Sequence, residues 1–209
     1  MFSRNLNDDK ESDKGNRGIK IICSTWERNF GKKKAIVVWK TAPVPDQLGR
    51  DMAGRNIGVA VDFSSCSKAA LRWASTNLTR SGDKLILIHV NSSFQNEQGA
   101  VHLWEQSGSP LIPLAEFSDV TKTYGVSPDK ETIEILTQVA HQRGIEVFAK
   151  IFYGDPAKKL YEAVDLVPLS CMVIGSRGLS TLKRALMGSV STSIVNHVAC
   201  PVTVVKENM

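Results

Sequence analysis

Two segments rich in glycine and serine, close together in the last third of the chain, could bind an anion. The apolar run Met172-Val173-Ile174 leads into Gly175-Ser176-Arg177-Gly178, and nine residues later comes Gly188-Ser189-Val190-Ser191. Glycines after a buried strand let the backbone approach a ligand closely, and free N–H groups at a helix N-terminus favour phosphate. Lys183 and Arg184 place further positive charge in the same loop. The pattern predicts a phosphate-binding loop.

The same pattern has a plainer interpretation. The glycines could serve only as turn residues, and Ser189 only as the N-cap of a helix. The sequence contains neither the G-x-x-x-x-G-K-[ST] pattern of a P-loop nor the G-x-G-x-x-G fingerprint of a dinucleotide fold. Spacing alone does not decide between the two interpretations.

A carboxylate is expected beside this loop. Asp62 directly follows the apolar run Ile57–Val61, the first of the strands predicted below. In an open parallel sheet, ligands collect at the carboxyl ends of strands where the strand order reverses, which would bring Asp62 to the mouth of the pocket. Alternatively, Asp62 caps the first helix together with Ser64, and capping is the favoured role if the glycine motif is disregarded.

Five apolar runs alternate with helical patterns from Asn56 onward, which predicts an α/β fold with a parallel sheet. Several of the runs are apolar on both faces, as strands covered by helices should be. The runs are Ile57–Val61, Lys84–Val90, Glu146–Tyr153, Cys171–Ile174 and Val202–Val205.

Four helices are predicted between these strands from caps and stop signals. We expect Pro128 and Pro156 at first helical positions, and Leu160, Tyr161 and Val164 to point inward from the third helix. The start and stop signals are Ser64/Ser65 with Gly82, Ser127-Pro128-Asp129 with Gly144, Asp155-Pro156, and Ser189 with Pro201.

The connection 91–126 is far longer than an ordinary strand-to-helix loop, which indicates a functional or mobile segment. Only the stretch Leu114–Thr121 has a modest helical signal. The apolar residues of this loop predict a satellite core, with a lid over the ligand as the alternative. They are Trp104, Leu111, Ile112, Leu114 and Phe117.

The net charge of +5 is concentrated at the beginning of the chain. Residues 1–51 carry 11 basic and 7 acidic side chains, a net +4, so the remainder is nearly neutral and a nucleic-acid groove is not implied. We predict that residues 1–53 form a mostly disordered or weakly structured extension and that residues 54–209 form the folded domain. The run Lys32-Lys33-Lys34 is interpreted as a solvated cluster.

Cysteine and histidine spacing argues against disulfides and metal sites. Cys23, Cys66, Cys171 and Cys200 lie far apart and contain no C-x-x-C pair, which is typical of free thiols in a reducing compartment. The four histidines show no ligand spacing and are expected to be structural or exposed. No apolar run reaches the roughly 18 residues of a membrane span, and no targeting signal is evident, so we expect a cytoplasmic protein without a membrane partner.

The arrangement G-x-x-G-x9-G-S resembles the nucleotide motif of the universal stress protein family, and the resemblance extends over about residues 54–207. The order of the parts matches: V-A-V-D-F-S, L-I-L-I-H-V, Gly154-Asp155-Pro156, the glycine motif and C-P-V-T-V-V. The chain looks most like short single-domain plant members. It departs from the family at Ser170, where an acid is common, and in the extension, since Met52-Ala53-Gly54-Arg55 looks like a family start.

The resemblance implies a Rossmann-like, HUP-type sheet of five parallel strands in the order 3-2-1-4-5 that binds ATP or AMP, often as a homodimer. Asp62, next to Val61, would lie at the ribose or adenine, and the backbone of Val90 at the adenine edge. Ile174 and Gly175 would line the nucleoside. A divalent ion such as Mg²⁺ would be held largely by phosphate oxygens and water. The residues expected around the phosphates are Arg177, Gly178, Gly188, Ser189, Val190 and Ser191.

These observations favour a nucleotide-binding stress or signalling regulator with no catalytic residue. Dimers are expected through the final strand, Pro201–Val205, whose exposed edge invites antiparallel pairing with its copy. A slow ATP hydrolase is the first alternative, although the phosphate loop contains no Asp or Glu to serve as a base. A chaperone or holdase acting through the extension, the long loop or exposed dimer surfaces is the second.

Overall fold

The computed structural model describes residues 54–92, 104, 106–119, 123–176 and 189–206, together with the backbone of residues 35–38. For Ser189 it describes the backbone alone. Within these ranges, no helix combines the length and the apolar character needed to cross a bilayer.

A sheet of seven strands forms the centre of the described part of the chain. In space the strands follow the order β1-β7-β6-β2-β3-β5-β4. The five inner strands are parallel to one another. Their order is the predicted 3-2-1-4-5, which confirms the α/β fold class. The strands are β1 (Ala35–Val38), β2 (Asn56–Ala60), β3 (Lys84–Asn91), β4 (Ile112–Pro113), β5 (Glu146–Tyr153), β6 (Cys171–Ser176) and β7 (Val202–Lys206).

Two short antiparallel strands, β1 and β4, lie on the outer edges of this parallel sheet. β4 pairs with β5 through Ile112 opposite Ala149, and β1 pairs with β7 along its whole length. The predicted count of five strands is therefore wrong. Neither added strand has a sequence signal beyond a few apolar residues, because each depends on a partner far away in the chain.

The outer edge of β7 is occupied. The expectation that Pro201–Val205 presents an exposed edge is wrong, because β1 pairs with β7. β1 also shows that four residues of the extension 1–53 form regular structure. The other residues of the extension lie outside the described ranges.

Four α-helices are described, two on each face of the sheet. Ser64 is the N-cap of α1, and Asp155 is the N-cap of α3 with Pro156 at the first position, as predicted. Each cap side chain accepts a hydrogen bond from a first-turn N–H, which is otherwise unpaired. The helices are α1 (Ser65–Asn77), α2 (Lys130–Arg143), α3 (Pro156–Leu166) and α4 (Ser189–His197).

Three helix details differ from the prediction. Asp129 is the N-cap of α2, so Pro128 lies before the cap and not at the first helical position. α1 ends at Asn77 with Leu78 as its C-cap, and Gly82 lies in the following turn with a φ of 85°. Tyr161 is 43% exposed, since it lies about 100° around α3 from its buried neighbour Leu160.

Each face of the sheet has its own apolar core. Leu71 of α1 and Leu136 of α2 are fully buried on one face, together with Ile57 and Val173 of the sheet. On the other face, Leu160 of α3 and Ile194 of α4 pack with sheet residues such as Ile86 and Met172. Helices on both faces explain why the inner strands are apolar throughout.

The described part of the long connection packs on the sheet. Ile112 and Phe117 are buried in the core under α1 and α2, and Trp104 contacts that core, whereas Leu111 is exposed. The helical signal at Leu114–Thr121 corresponds to one 3₁₀ turn, Leu114–Glu116. For these residues the core interpretation fits better than a lid.

At the amino end of the sheet, Arg55 and Asp83 form a hydrogen-bonded ion pair. The Asp83 carboxylate, only 4% exposed, accepts hydrogen bonds from the Arg55 N–H (3.0 Å), Nε (3.1 Å) and Nη2 (2.6 Å), and from the Arg80 N–H (2.9 Å). Arg55 Nη2 also donates to the Leu78 carbonyl at 2.7 Å, which ties the end of α1 to the start of β2.

Candidate nucleotide site

The register of the sheet brings the ends of three strands to one level. Ala60 of β2 lies opposite Ile88 of β3 on one side and Ile174 of β6 on the other. Two residues beyond Ala60, Ile88 and Ile174, the chain has Asp62, Val90 and Ser176, respectively. These three residues therefore follow equivalent positions at the carboxyl edge.

This edge contains the point where the strand order reverses. From β2 the chain continues outward to β3 and β5, then crosses back to β6 on the opposite side of β2 and continues to β7. The crevice outside the ends of β2 and β6 is where open α/β sheets bind ligands. α4 begins at Ser189 and connects β6 with β7, so its N-terminus lies on the same edge.

A tight turn holds Asp62 at this crevice. The exposed Asp62 side chain accepts hydrogen bonds through Oδ1 from the Ser64 N–H (3.1 Å) and the Ser64 hydroxyl (2.5 Å). The Ser64 Oγ in turn caps α1 by accepting from the Ser67 N–H at 3.4 Å. The capping interpretation is correct for Ser64, with Asp62 supporting that residue. The same turn leaves a carboxylate facing solvent beside the strand ends.

An aromatic pair lies next to this turn. Phe63 is the one described non-glycine residue with a positive φ, 61°, a conformation that L residues rarely adopt. Its ring stacks on the His89 ring at a centroid distance of 4.8 Å. His89 Nδ1–H donates to the Val61 carbonyl at 2.8 Å, which fixes the end of β2. Burial lowers the pKa of His89, more than the bond to Val61 and the nearby Asp62 raise it, so the ring is neutral at pH 7.

Phe63 and His89 also line an apolar pocket under the long connection. Neither residue was among the predicted site residues. The available signal was their position, since one follows Asp62 and the other precedes Val90. The pocket is lined by Val61, Phe63, Leu87, His89, Phe117, Val126, Pro128, Ala149 and Ile151.

The predicted phosphate end is described in part. Ser191 is buried and Val190 half-buried in the first turn of α4, and Ser176 is buried at the end of β6. The side chain of Ile174 packs in the core with α3 and α4, so it stabilises the end of β6 from the core side. Of the other predicted residues, Arg177, Gly178, Gly188, Lys183 and Arg184 lie outside the described ranges.

Gly175 is required by a neighbouring helix. A Cβ at this position would lie 2.4 Å from the Cys66 carbonyl oxygen and 3.0 Å from the Ser67 nitrogen, both in the first turn of α1. The absence of a side chain therefore lets α1 approach β6 and holds the Asp62 turn close to the strand end. This packing role against α1 was not predicted; the prediction was that Gly175 lines the nucleoside or serves as a turn residue.

Metal ligation by protein side chains has no support within the described ranges, where no three His, Cys, Asp or Glu residues cluster. The groups at this edge are of other kinds. They comprise the exposed carboxylate of Asp62, apolar side chains, the buried Ser176 and Ser191, and the N-terminus of α4.

The fold and this edge define a doubly wound α/β protein whose ligand crevice lies at the switch point between β2 and β6. The model of the universal stress protein family matches residues 54–206. The chain belongs to this family.

Relatives and solved structures agree with that assignment. Universal stress protein PHOS32 of Arabidopsis thaliana is 29% identical over 161 residues, which cover 74% of this chain and 65% of the relative. The chain thus spans slightly less than two thirds of PHOS32. A universal stress protein from Archaeoglobus fulgidus has a similar fold, with a TM-score of 0.53, 22% identity and coverage of 83% of this chain and 51% of that one.

A third comparison concerns a protein crystallised with a nucleotide. The Arabidopsis thaliana universal stress protein family structure described as having AMP bound is 26% identical to this chain. It covers 74% of this chain and 92% of its own, with a TM-score of 0.47.

Proposed function

We propose that this chain is a nucleotide-binding regulator that takes ATP or AMP at the carboxyl edge of its sheet. The observation that carries the proposal is the common level of Asp62, Val90 and Ser176 at the switch point, beside the N-terminus of α4. Occupancy of this crevice would bias the conformation or assembly of the protein and thereby transmit a stress signal.

The nucleoside end of the proposed site is formed by the turn after β2 and the end of β3. Asp62 would accept hydrogen bonds from the ribose hydroxyls, since its carboxylate is exposed and held in place by Ser64. The backbone of Val61 and Val90 would meet the base. The neutral His89 and the stacked Phe63 provide an apolar wall on the same side.

The phosphate end of the proposed site is formed by the loop after β6 and the first turn of α4. Buried Ser191 and the N-terminus of that helix, with its dipole, suit phosphate oxygens. For ATP, Mg²⁺ held by phosphate oxygens and water belongs to the proposal. Ile174 and Gly175 are proposed to line the nucleoside. The residues proposed for the phosphates are Arg177, Gly178, Gly188, Ser189, Val190 and Ser191.

Isothermal titration of the full chain with AMP and with ATP plus Mg²⁺ tests this proposal. AMP is the first probe because an Arabidopsis family structure is described as having AMP bound. We expect the Gly188→Val, Ser189→Ala double variant to fold and to lose measurable binding. The matched control is Asp155→Ala, which removes the N-cap of α3 at a helix start elsewhere and should leave affinity unchanged. Equal affinities of the double variant and the unchanged chain would refute the site.

The other functions considered from the sequence predict different results. Phosphate release from ATP above a protein-free blank, abolished by the double variant, would indicate a hydrolase. Suppression of client aggregation that persists without nucleotide would indicate a holdase. A cytoplasmic location and assembly into homodimers remain parts of the proposal, and dimerisation through β7 requires its outer edge to be vacated.

A further inference from the structure

The stacked pair of Phe63 and His89 lies between the two backbone segments that are proposed to meet the base. Phe63 follows Asp62 in the turn after β2, and His89 precedes Val90 near the end of β3. The ring centroids are 4.8 Å apart, and His89 Nδ1–H donates to the Val61 carbonyl at 2.8 Å. Through these two contacts the side chain of His89 holds both the end of β2 and the turn that follows it.

Phe63 needs such a contact because of its backbone conformation. Its φ of 61° lies in the left-handed region, which L residues with a side chain rarely adopt and which persists where the surroundings impose it. The ring of Phe63 is held by His89 and by the apolar pocket that both residues line. A change at His89 is therefore transmitted to the turn that carries Asp62.

The surroundings of His89 suit the neutral ring and oppose its protonation. Nδ1 is bonded to Val61, and Nε2 has no hydrogen-bond partner among the residues that the structure describes. The other eight residues that line the pocket are all aliphatic or aromatic residues or proline. Protonation would add a positive charge and a second N–H donor against these apolar side chains, which is unfavourable. Burial accordingly lowers the pKa of His89.

Asp62 is the charged group whose field acts on His89. It raises the pKa of His89 by less than burial lowers it. An imidazolium would attract the Asp62 carboxylate, in competition with the ribose hydroxyls that are proposed to bind there. The other titratable side chains near the ring, on the elements packed against it, are exposed or engaged elsewhere. They are Glu116, which is exposed, Asp129, which contacts Thr132 and Lys68, and Tyr153, which donates to the Tyr124 carbonyl.

We propose that Phe63 and His89 are positioning residues for the nucleoside end of the crevice, and that AMP binds tightly only while His89 is neutral. The inference rests on the proposed function and adds to it a dependence of nucleotide affinity on pH. On protonation the ring would turn towards water, Phe63 would lose its stacking partner, and the turn would no longer present Asp62 to a ribose.

Titration of the full chain with AMP over a range of pH tests this dependence. NMR of the His89 ring in the nucleotide-free chain first gives its midpoint. AMP affinity should fall with the neutral fraction of the ring, about elevenfold at one pH unit below that midpoint. His89→Asn keeps an amide donor for Val61 and does not titrate, so its affinity should follow only the ionisation of AMP itself.

The matched control is His197→Asn, which removes an exposed histidine that also contacts a backbone carbonyl, that of Ser193 at 2.7 Å. This variant should keep the full pH dependence, because His197 lies at the opposite end of α4 from the crevice. Equal pH dependence in the unchanged chain and in His89→Asn would overturn the proposal. A His89 ring that stays neutral down to about pH 5 would overturn it as well.

Hydrogen exchange of the nucleotide-free chain separates this inference from the proposed function. The N–H groups of Ser64 and Ser67 bond within the turn and the α1 cap. Their protection, relative to intrinsic exchange at each pH, should fall through the midpoint of the His89 ring in the unchanged chain and stay constant in His89→Asn. Phe63→Gly suits the positive φ and removes the stack, so it should raise the ring midpoint and abolish this response.

The two measurements distinguish the possible failures. Protection that does not follow the His89 ring would overturn the inference even if AMP binds. Absence of AMP binding at every pH would refute the proposed function, and the exchange data would still decide whether His89 controls the turn.

Discussion

The two ends of the sheet each place an aspartate next to a strand, and the two carboxylates are held in different ways. Asp83 precedes β3 at the amino end and is enclosed by four donors from Arg55 and Arg80. Asp62 follows β2 at the carboxyl end and is exposed, with its bonds to Ser64 lying within one turn. The first arrangement joins separate elements, and the second presents a charge to solvent.

The contrast separates a buried carboxylate that joins several elements from an exposed carboxylate at a strand end. Burial would raise the pKa of Asp83, but the hydrogen bonds from Arg55 and from the Arg80 N–H outweigh it and hold the pKa below its usual value. A carboxylate whose acceptor positions are used by its own fold has little capacity for a substrate. The predictions below test this division between the two ends.

The largest expected effect is on stability at the amino end. Asp83→Ala removes four hydrogen bonds from a buried carboxylate and should lower the free energy of unfolding by about 3 kcal/mol, less than a fully buried pair would lose because Arg55 reaches solvent. Urea unfolding measures this loss. Nucleotide affinity of the folded variant should be unchanged, and a loss of affinity would contradict the division.

The pH dependence of Asp83 follows from the direction of its shift. Because the pKa is lower in the folded state, the stabilisation is present above the unfolded value of about 4 and is lost as pH falls through the folded value. The difference in unfolding free energy between the unchanged chain and Asp83→Ala should therefore shrink below pH 4.

The next effect concerns Gly175 at the carboxyl end. Gly175→Ala drives a methyl group into the backbone of α1 and should cost about 2 kcal/mol of unfolding free energy. Gly58→Ala is the control, since its Cβ meets only the flexible side-chain ends of Leu169 and Ile88. The position in β6 should be the more sensitive one in thermal unfolding. A larger loss of stability in Gly58→Ala would show that α1 can shift to accommodate the added methyl group.

A smaller effect, on binding, is expected at Asp62. Asp62→Ala should weaken nucleotide affinity about tenfold, which corresponds to about 1.4 kcal/mol for one charge-assisted interaction. Ser64→Ala is the comparison variant, because it keeps the carboxylate and the Ser64 N–H bond to it but removes the hydroxyl bond and the α1 cap, at a cost of about 1 kcal/mol of stability. Titration should find the larger loss of affinity in Asp62→Ala. Equal losses would mean that the turn, and not its charge, carries the affinity.

The smallest effect is a pH response of His89. Its pKa is lower in the folded state than in the unfolded state, so stability is fully present above about pH 6.5 and falls as pH decreases below it. Between pH 7.5 and 5.5 the unfolding free energy should decline more in the unchanged chain than in His89→Asn, whose amide can still donate to Val61. If the unfolding free energies of the two proteins decline in parallel with pH, the proton is taken up by a group other than His89.

Local signals in the sequence account for most of the fold. β5 has its predicted bounds, because an apolar run stands between Gly144 and Gly154, and α3 starts where Asp155 and Pro156 indicate. Such features can be predicted from the sequence because they depend on residues only a few positions away in the chain. The strand-end position of Asp62 was predictable for the same reason.

The parts that escaped prediction depend on distant partners. β1 pairs with β7, which lies far away in the chain, and no local sequence pattern predicts that pairing. The enclosure of Asp83 by Arg55 and the stacking of Phe63 on His89 likewise join residues brought together by the sheet. Gly175 could be identified in the sequence as a glycine of the motif, whereas its contact with α1 could not be predicted.

The pairing of β1 with β7 also bears on the order in which the protein is made. β1 is synthesised before the whole domain, and β7 is the last strand of that domain to leave the ribosome. During translation β1 therefore has no registered partner, while the α/β units between them can already pair in sequence. The edge of the sheet is closed only after synthesis has passed Lys206, which makes this contact a late step in biogenesis.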